Sequence, residues 1–426
     1  MENEIKKKKK SNDNSSSNKS SISFVKFSFL IFGISSLLEW NAILSDIDFF
    51  NDKQKSIHPN YSFSFFNSLF NIVIQFILVY KPKPFQYKKQ LLFTLISTFF
   101  ILIFLPLFVI LFNKKSDNFP SLLITIILIL FGGLCNALGS SGFFGLCSYF
   151  PLELIINMST GQGIAGILMN AIQYLILLLN SSENTKALFF FGIASLFILF
   201  CIFIIIKVYR IPFFFNFLKN TDEIDNSIIV DEEISELTDE TKSTHNKSTP
   251  EQKEESFLEL TKQIIDINIL IVILYTTTFI LFPGVCLAPD FFGLNDTKSI
   301  TIIAIYNISD TLGRYIVNYL EPTKNKAYVF ILSRLSLIFI MPFTYYLEQK
   351  NKSDLLISLI LLLCVIYLGI TNGIGTSLCF GLAPKFVKEH MKGKAGSSVS
   401  FFLIVGIFIG SCLALIMEVI MDKIKK

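Results

Sequence analysis

A chain of 426 residues that is 52% hydrophobic and only 16% charged is too apolar for an ordinary soluble domain. Its net charge of +4 reflects membrane topology and gives no sign of nucleic-acid binding. Runs near the ~20 residues that span a bilayer as helix predict an all-α polytopic membrane protein with eleven transmembrane helices.

The predicted spans are about 23–45, 61–80, 90–112, 120–149, 161–180, 186–208, 264–287, 298–320, 326–347, 354–382 and 396–421. Residues 1–22, rich in Lys, Asn and Ser, read as a disordered cytosolic tail. The first span is too long for a signal peptide and has no small-residue cleavage site, so it is read as retained. Within it, "SSLLEWNAIL" carries Glu39, Trp40 and Asn41. Trp40 is either an interfacial anchor or the wall of a site. Glu39 either faces a solvated vestibule, the preferred reading, or is a protonatable group that couples transport to protons.

The fourth span, the least regular, contains "NALGSSGFFG", where Asn136, Ser140 and Ser141 interrupt an apolar surface. The fifth opens with "GQGIAG", residues 161–166. This matches the dinucleotide fingerprint letter for letter, but that motif acts between a strand and a helix. No strand precedes it here, so Gly161, Ala165 and Gly166 are read as small residues that let helices approach closely. Gly406 and Gly410, a G-x-x-x-G pair in the last span, are read the same way. These six spans form an N-terminal bundle over 23–209, followed by a flexible acidic cytosolic loop at 210–262 and a C-terminal five-helix bundle over 263–426.

The eighth span poses the main question. "TIIAIYNISDTLGRYIVNYL", residues 301–320, places Asp310 and Arg314 inside an apolar run, where a central charge costs roughly 2.5–3.5 kcal/mol on insertion scales. Four residues apart, they share a helical face, and Asn307 and Asn318 extend it. A self-neutralising ion pair explains two of these residues. A cavity that offers an acceptor and a forked donor to a polar solute explains all four. The tenth span, "GITNGIGTSLCFG", adds Asn372.

Lys and Arg crowd the N-terminus and the segments at 81–89, 207–262, 324–326 and 385–394. By the positive-inside rule this puts the N-terminus in the cytosol and, with eleven spans, the C-terminus outside or in a lumen. His58, His245 and His390 sit in loops, and the seven cysteines form no C-x-x-C pair. No metal site, disulfide framework or catalytic constellation is therefore expected, and no cofactor or enzymatic activity.

The motifs together resemble the equilibrative nucleoside transporters, of a protozoan-like kind. "SSLLEWN" (35–41) looks like the first-helix signature, and "GFFGLCSYFP" with "MSTGQGIAG" is similar to the fourth- and fifth-helix region. "LFPGV" (281–285), "YNISDTLGR" (306–314) and "TNGIGTSLCFGLAPKFV" (371–387) followed by "KAGSSVSFFLIVGIFIG" are similar to later signatures. The resemblance implies a major-facilitator-like 6+5 fold, alternating access and a nucleoside or nucleobase substrate; purine uptake is among the expectations, and purine against pyrimidine preference stays open. It also implies substrate-binding residues: Asp310 and Arg314 at the ribose, Asn307 on the base side, and Trp40 facing the substrate. Ser140 stands where many members carry a base-contacting glutamine, so base preference does not carry over. Glu39 replaces the usual proline before Trp40. The expected partners are substrate and lipid bilayer, with no nucleic acid. The expected state is a monomer in the plasma membrane. The alternatives are a nucleobase-selective or proton-coupled carrier of the same fold, or a facilitator-type sugar carrier. "DTLGR" faintly resembles the D-x-x-G-R motif of sugar carriers but lies within a span, whereas that motif belongs in a cytosolic loop.

Overall fold

The computed structural model describes residues 2–80, 87–112, 119–148, 150–211, 214, 257–289, 297–350, 355–388 and 391–425. The described residues are helices joined by short connections. In the first half these are α1 (Glu2–Ser45), α2 (Ile47–Lys53), α3 (Pro59–Tyr80), α4 (Tyr87–Phe112), α5 (Phe119–Ser148), α6 (Leu152–Leu177) and α7 (Glu183–Val208). The second half comprises α8 (Phe257–Gln263), α9 (Ile265–Leu281), α10 (Gly284–Leu287), α11 (Lys298–Ile316), α12 (Lys324–Ser333), α13 (Leu337–Lys350), α14 (Leu355–Leu382) and α15 (Lys392–Lys425).

Among the described residues, nine segments are long and apolar enough to cross a membrane, α12 and α13 together making one of them. All nine coincide with predicted spans. The two predicted spans outside this set are α6 and α11. Both are helices, of 26 and 19 residues, but polar side chains lower their mean hydropathy. The helices that look least like membrane spans are the ones that carry the polar chemistry. Outward-facing side chains such as Phe76, Phe93, Leu175, Leu196, Phe339 and Leu363 are exposed, as a lipid-facing surface requires.

Residues 2–22, whose composition predicts a disordered tail, are instead helical and continuous with the first span in α1. The sequence offers neither Pro nor Gly before Gly33, so nothing interrupts propagation once the span has nucleated. Of the predicted 210–262 loop, residues 212–213 and 215–256 lie outside the described residues. Its opening packs tightly: Phe214 is buried and meets Phe29, Phe150 and Tyr209 at ring-centroid distances of 6.3, 5.2 and 5.1 Å.

Within the first half α1 packs on α6 and α7, and α4 and α5 pack on each other. In the second half α9 packs on α15, and α11 on α14. The halves meet where α15 lies against α3 and α5, and where α11 and α14 lie against α6. Glycines set the spacing on this second seam. A Cβ on Gly161 would come within 2.1 Å of the Leu30 carbonyl of α1. Cβ atoms on Gly163 and Gly166 would come within 2.4 Å of Thr311 and Asn307 of α11. The "GQGIAG" stretch is thus a packing surface on both sides, and Gly406 and Gly410 play the same part against Val272 and Thr276 of α9.

Candidate substrate site

The α6–α11–α14 seam gathers the buried polar side chains. Asp310 and Arg314, one turn apart on α11, are almost fully buried. Arg314 donates through Nε to Asp310 Oδ2 at 2.7 Å. Its Nη1 reaches across the seam to α6, to the Ser159 carbonyl (3.1 Å), Ser159 Oγ (3.0 Å) and Gln162 Oε1 (3.0 Å). The other carboxylate oxygen, Asp310 Oδ1, accepts from Asn372 Nδ2 of α14 at 2.8 Å. Taking such a pair out of water costs several kcal/mol per ion unless the remaining groups are satisfied, and here neutral polar partners surround both ions.

The network extends in two directions. Gln162 donates to Ser36 Oγ of α1 at 3.2 Å, and Ser159 Oγ meets Ser377 Oγ of α14 at 2.9 Å. Asn372 Oδ1 lies 2.8 Å from Thr278 Oγ1 of α9. Arg334, in the 3₁₀ turn Arg334–Ser336 between α12 and α13, donates to Thr278 Oγ1 (2.7 Å) and to Asn372 Oδ1 (3.3 Å). Its guanidinium is fully buried and its Nε has no partner among the described residues. Two guanidiniums therefore share the neighbourhood of one carboxylate. Arg334 lies within the predicted span 326–347, but nothing in the linear chain brings it toward Asp310. Nor did the sequence reveal Ser159 and Gln162, since their stretch reads as a packing motif.

Asn307, a turn before Asp310, donates to Asn170 Oδ1 of α6 at 2.7 Å and rests on Gly166. The predicted stripe stops at Arg314. Asn318 is exposed and donates to the Tyr315 carbonyl at 3.1 Å. The helix tightens to 3₁₀ over Val317–Tyr319, which advances each residue by more than an α-helix does and turns Asn318 off the shared face. Tyr306, also one turn from Asp310, stacks on Phe282 with centroids 4.0 Å apart.

Trp40 and Ser140 stand beside this network, and among the described residues no hydrogen bond ties either to it. Trp40 is half-buried on α1, one turn beyond Ser36 and so on the same helical face. Ser140 is half-buried on α5, one turn before Phe144, which stacks across the halves on Phe380 of α14 at 3.9 Å. Asn41 donates to its own backbone at Leu37 (2.9 Å), a local bond typical of such side chains. Glu39 does not face a solvated vestibule. It is 3% exposed and accepts from Thr98 Oγ1 of α4 at 3.1 Å.

The two helical halves thus meet across a buried, charge-bearing polar seam, an arrangement that a solved carrier shares in its fold. The solved proton:xylose symporter XylE, bound to 6-bromo-6-deoxy-D-glucose, superimposes with a TM-score of 0.61 over 96% of this chain and 97% of that one, at 11% identity. That likeness concerns the fold alone. Residues 123–419 match the family model described as "Nucleoside transporter", and the chain belongs to that family. It is 27% identical to Equilibrative nucleotide transporter 3 of Arabidopsis thaliana, over 90% of this chain and 91% of that protein. It is 25% identical to Equilibrative nucleotide transporter 4 of the same plant, over 89% and 91%. With Equilibrative nucleoside transporter 1 of Homo sapiens it shares 22% identity over 92% and 96%. The protein is an integral membrane transporter, not an enzyme.

Proposed function

We propose that this nucleoside carrier holds the ribose of its substrate on Asp310 and Arg314, with Asn307, Trp40 and Ser140 toward the base, and moves it by alternating access. One observation carries the reading. The ion pair belongs to α11 of the second half, yet Arg314 is anchored on Ser159 and Gln162 of α6 in the first half. Ribose hydroxyls can donate to Asp310 in place of the Asn372 amide and accept from Arg314 in place of the α6 groups. Every group so displaced is neutral, so the exchange leaves the buried charge unchanged. It also releases or remakes bonds between the halves, which is what a rocking carrier requires of its substrate.

The distribution of Lys and Arg supports a cytosolic N-terminus and an external C-terminus. The reading takes the protein as a monomer of the plasma membrane with no nucleic-acid partner, and purine nucleosides as its cargo. The test is uptake of radiolabelled adenosine by the purified protein in liposomes. Saturable uptake that disappears in Asp310→Ala, while the variant stays monodisperse in detergent, supports the site. Undiminished uptake by Asp310→Ala would sink it. Aggregation of Asp310→Ala and Asp310→Asn alike would reduce the pair to a structural tether.

A further inference from the structure

Arg334 takes no part in the ribose contacts proposed above, yet it is the most deeply buried charge beside them. It is 0% exposed, against 2% for Arg314 and 6% for Asp310. The 3₁₀ turn Arg334–Ser336 places it between α12 and α13, where its two terminal nitrogens reach different helices. Nη2 donates to Thr278 Oγ1 of α9 at 2.7 Å, and Nη1 to Asn372 Oδ1 of α14 at 3.3 Å. Neither partner is charged, and Nε has no partner among the described residues. A neutral side chain would occupy the same place at lower cost, so filling space does not account for an arginine.

What the arginine does is set the direction of Asn372. An asparagine amide has an acceptor end and a donor end, whereas a guanidinium only donates. Arg334 therefore takes the oxygen end, and Thr278 Oγ1 lies 2.8 Å from the same oxygen. The NH2 end is left facing Asp310, to which Nδ2 donates at 2.8 Å. We propose that Arg334 is a positioning residue for substrate: it pins the Asn372 oxygen, so that the amide N–H groups stay aimed at the Asp310 carboxylate and at the ribose that binds there. The inference rests on the ribose reading above and adds Asn372 to it. When a ribose hydroxyl donates to Asp310, the displaced amide does not swing away. Its oxygen stays on Arg334 and Thr278, and its N–H donates to a ribose oxygen instead.

Asp310, Asn372, Thr278 and Arg334 all belong to the second half, on α11, α14, α9 and the α12–α13 turn. None of the bonds among them crosses to the first half, unlike those of Arg314 to α6. The glycines on either side of Asn372 hold α14 hard against α11. A Cβ on Gly369 would come within 2.7 Å of Ser309, and one on Gly373 within 2.0 Å of the Asp310 carbonyl. Rocking of the halves therefore leaves this part of the site intact, and Arg334 acts on affinity rather than on the rate of crossing.

The experiment is a double-mutant cycle on the full-length carrier, read as adenosine Kd in detergent and as KM and Vmax of uptake in liposomes. Arg334→Lys keeps the charge but loses the fork. Its Kd and KM should rise about tenfold, the worth of one ordinary hydrogen bond, with Vmax within about twofold of wild type. Asn372→Ala should raise Kd by as much or more, and Arg334→Lys added to it should raise Kd no further. Additive increases in the double variant would overturn the inference. So would a fall in Vmax at unchanged KM, which would reduce Arg334 to a support of the fold. If Arg334→Lys aggregates, Thr278→Val removes the hydroxyl that Arg334 grips and carries the same expectation and the same refutation. Failure of the wild type to bind adenosine would strike the ribose reading and this inference with it, whereas wild-type binding with additive variants strikes this inference alone.

Discussion

Asp310 and Glu39 are both carboxylates in the membrane interior, 6% and 3% exposed, yet the structure treats them in opposite ways. Asp310 has a guanidinium 2.7 Å from one oxygen and an amide 2.8 Å from the other. Glu39 has a single hydroxyl donor and an orphaned oxygen. Burial alone therefore does not assign a role. A carboxylate with a guanidinium on one oxygen and an amide on the other has fixed partners that a ligand can replace. One without them is held only if it can become neutral. The first arrangement suits recognition of a polar ligand.

The largest effect should come from making Asp310 resemble Glu39. Arg314→Gln strips the cation from the pair and the fork from α6. Breaking a buried pair in this way costs about 3–5 kcal/mol, so adenosine uptake should vanish and the Tm in detergent should fall. Uptake comparable to wild type would mean that the pair does not touch substrate. Next comes the seam itself. Gly166→Ala would push a methyl to within about 2.4–2.7 Å of the Asn307 amide, and such overpacking typically costs ~1–3 kcal/mol. Lower thermal stability and slower uptake are expected, and an unchanged Tm would show that α6 and α11 can part there freely. Thr98→Val sharpens the comparison from the other side. With a neutral Glu39 it removes one ordinary hydrogen bond, worth about 1 kcal/mol. A much larger loss of stability would signal a charged Glu39.

The smallest effect concerns Asp46, at the end of the first span. Gln173 Nε2 donates to its Oδ1 at 2.6 Å, but Oδ2 is buried without a partner. Burial pushes its carboxyl well above the usual range, with Asp48 and Glu183 adding to the rise and the Gln173 bond opposing it. A group whose folded-state affinity for a proton is raised stabilises the fold fully below its unfolded value of 3.8 and loses that contribution as pH climbs through the folded value. Asp46→Asn should therefore flatten the alkaline side of a Tm-against-pH profile, with little change in acid. A profile parallel to wild type would show that Asp46 is ionised in the fold.

Much of this was legible in the linear chain. Apolar runs longer than a bilayer is thick have few fates, so nine spans could be placed within a few residues. Asp310 and Arg314 announced themselves because a charge in such a run is costly and a spacing of four puts both on one face. Asn372 was visible as a polar break. Trp40 and Ser140 stood out within apolar spans, and only resemblance to a family turned them toward a substrate. Other features stayed hidden for a physical reason. Ser159 and Gln162 lie in a glycine-rich stretch whose packing role is real, and a residue that both spaces a helix and caps a charge leaves one signature in the sequence. Arg334 joined the centre only because a 3₁₀ turn between α12 and α13 and the crossing of α9 and α14 brought it there. Asn318 left for a similar local reason.

Sequence by itself determined that this is a membrane-embedded helical protein and which helix bears its buried ion pair, because hydrophobic transfer energies act on every residue wherever the chain goes. Tertiary structure decided which buried carboxylate is neutralised by a cation and which is left to find a proton, because a charge is satisfied by neighbours a few ångströms away and these come from helices distant in the sequence.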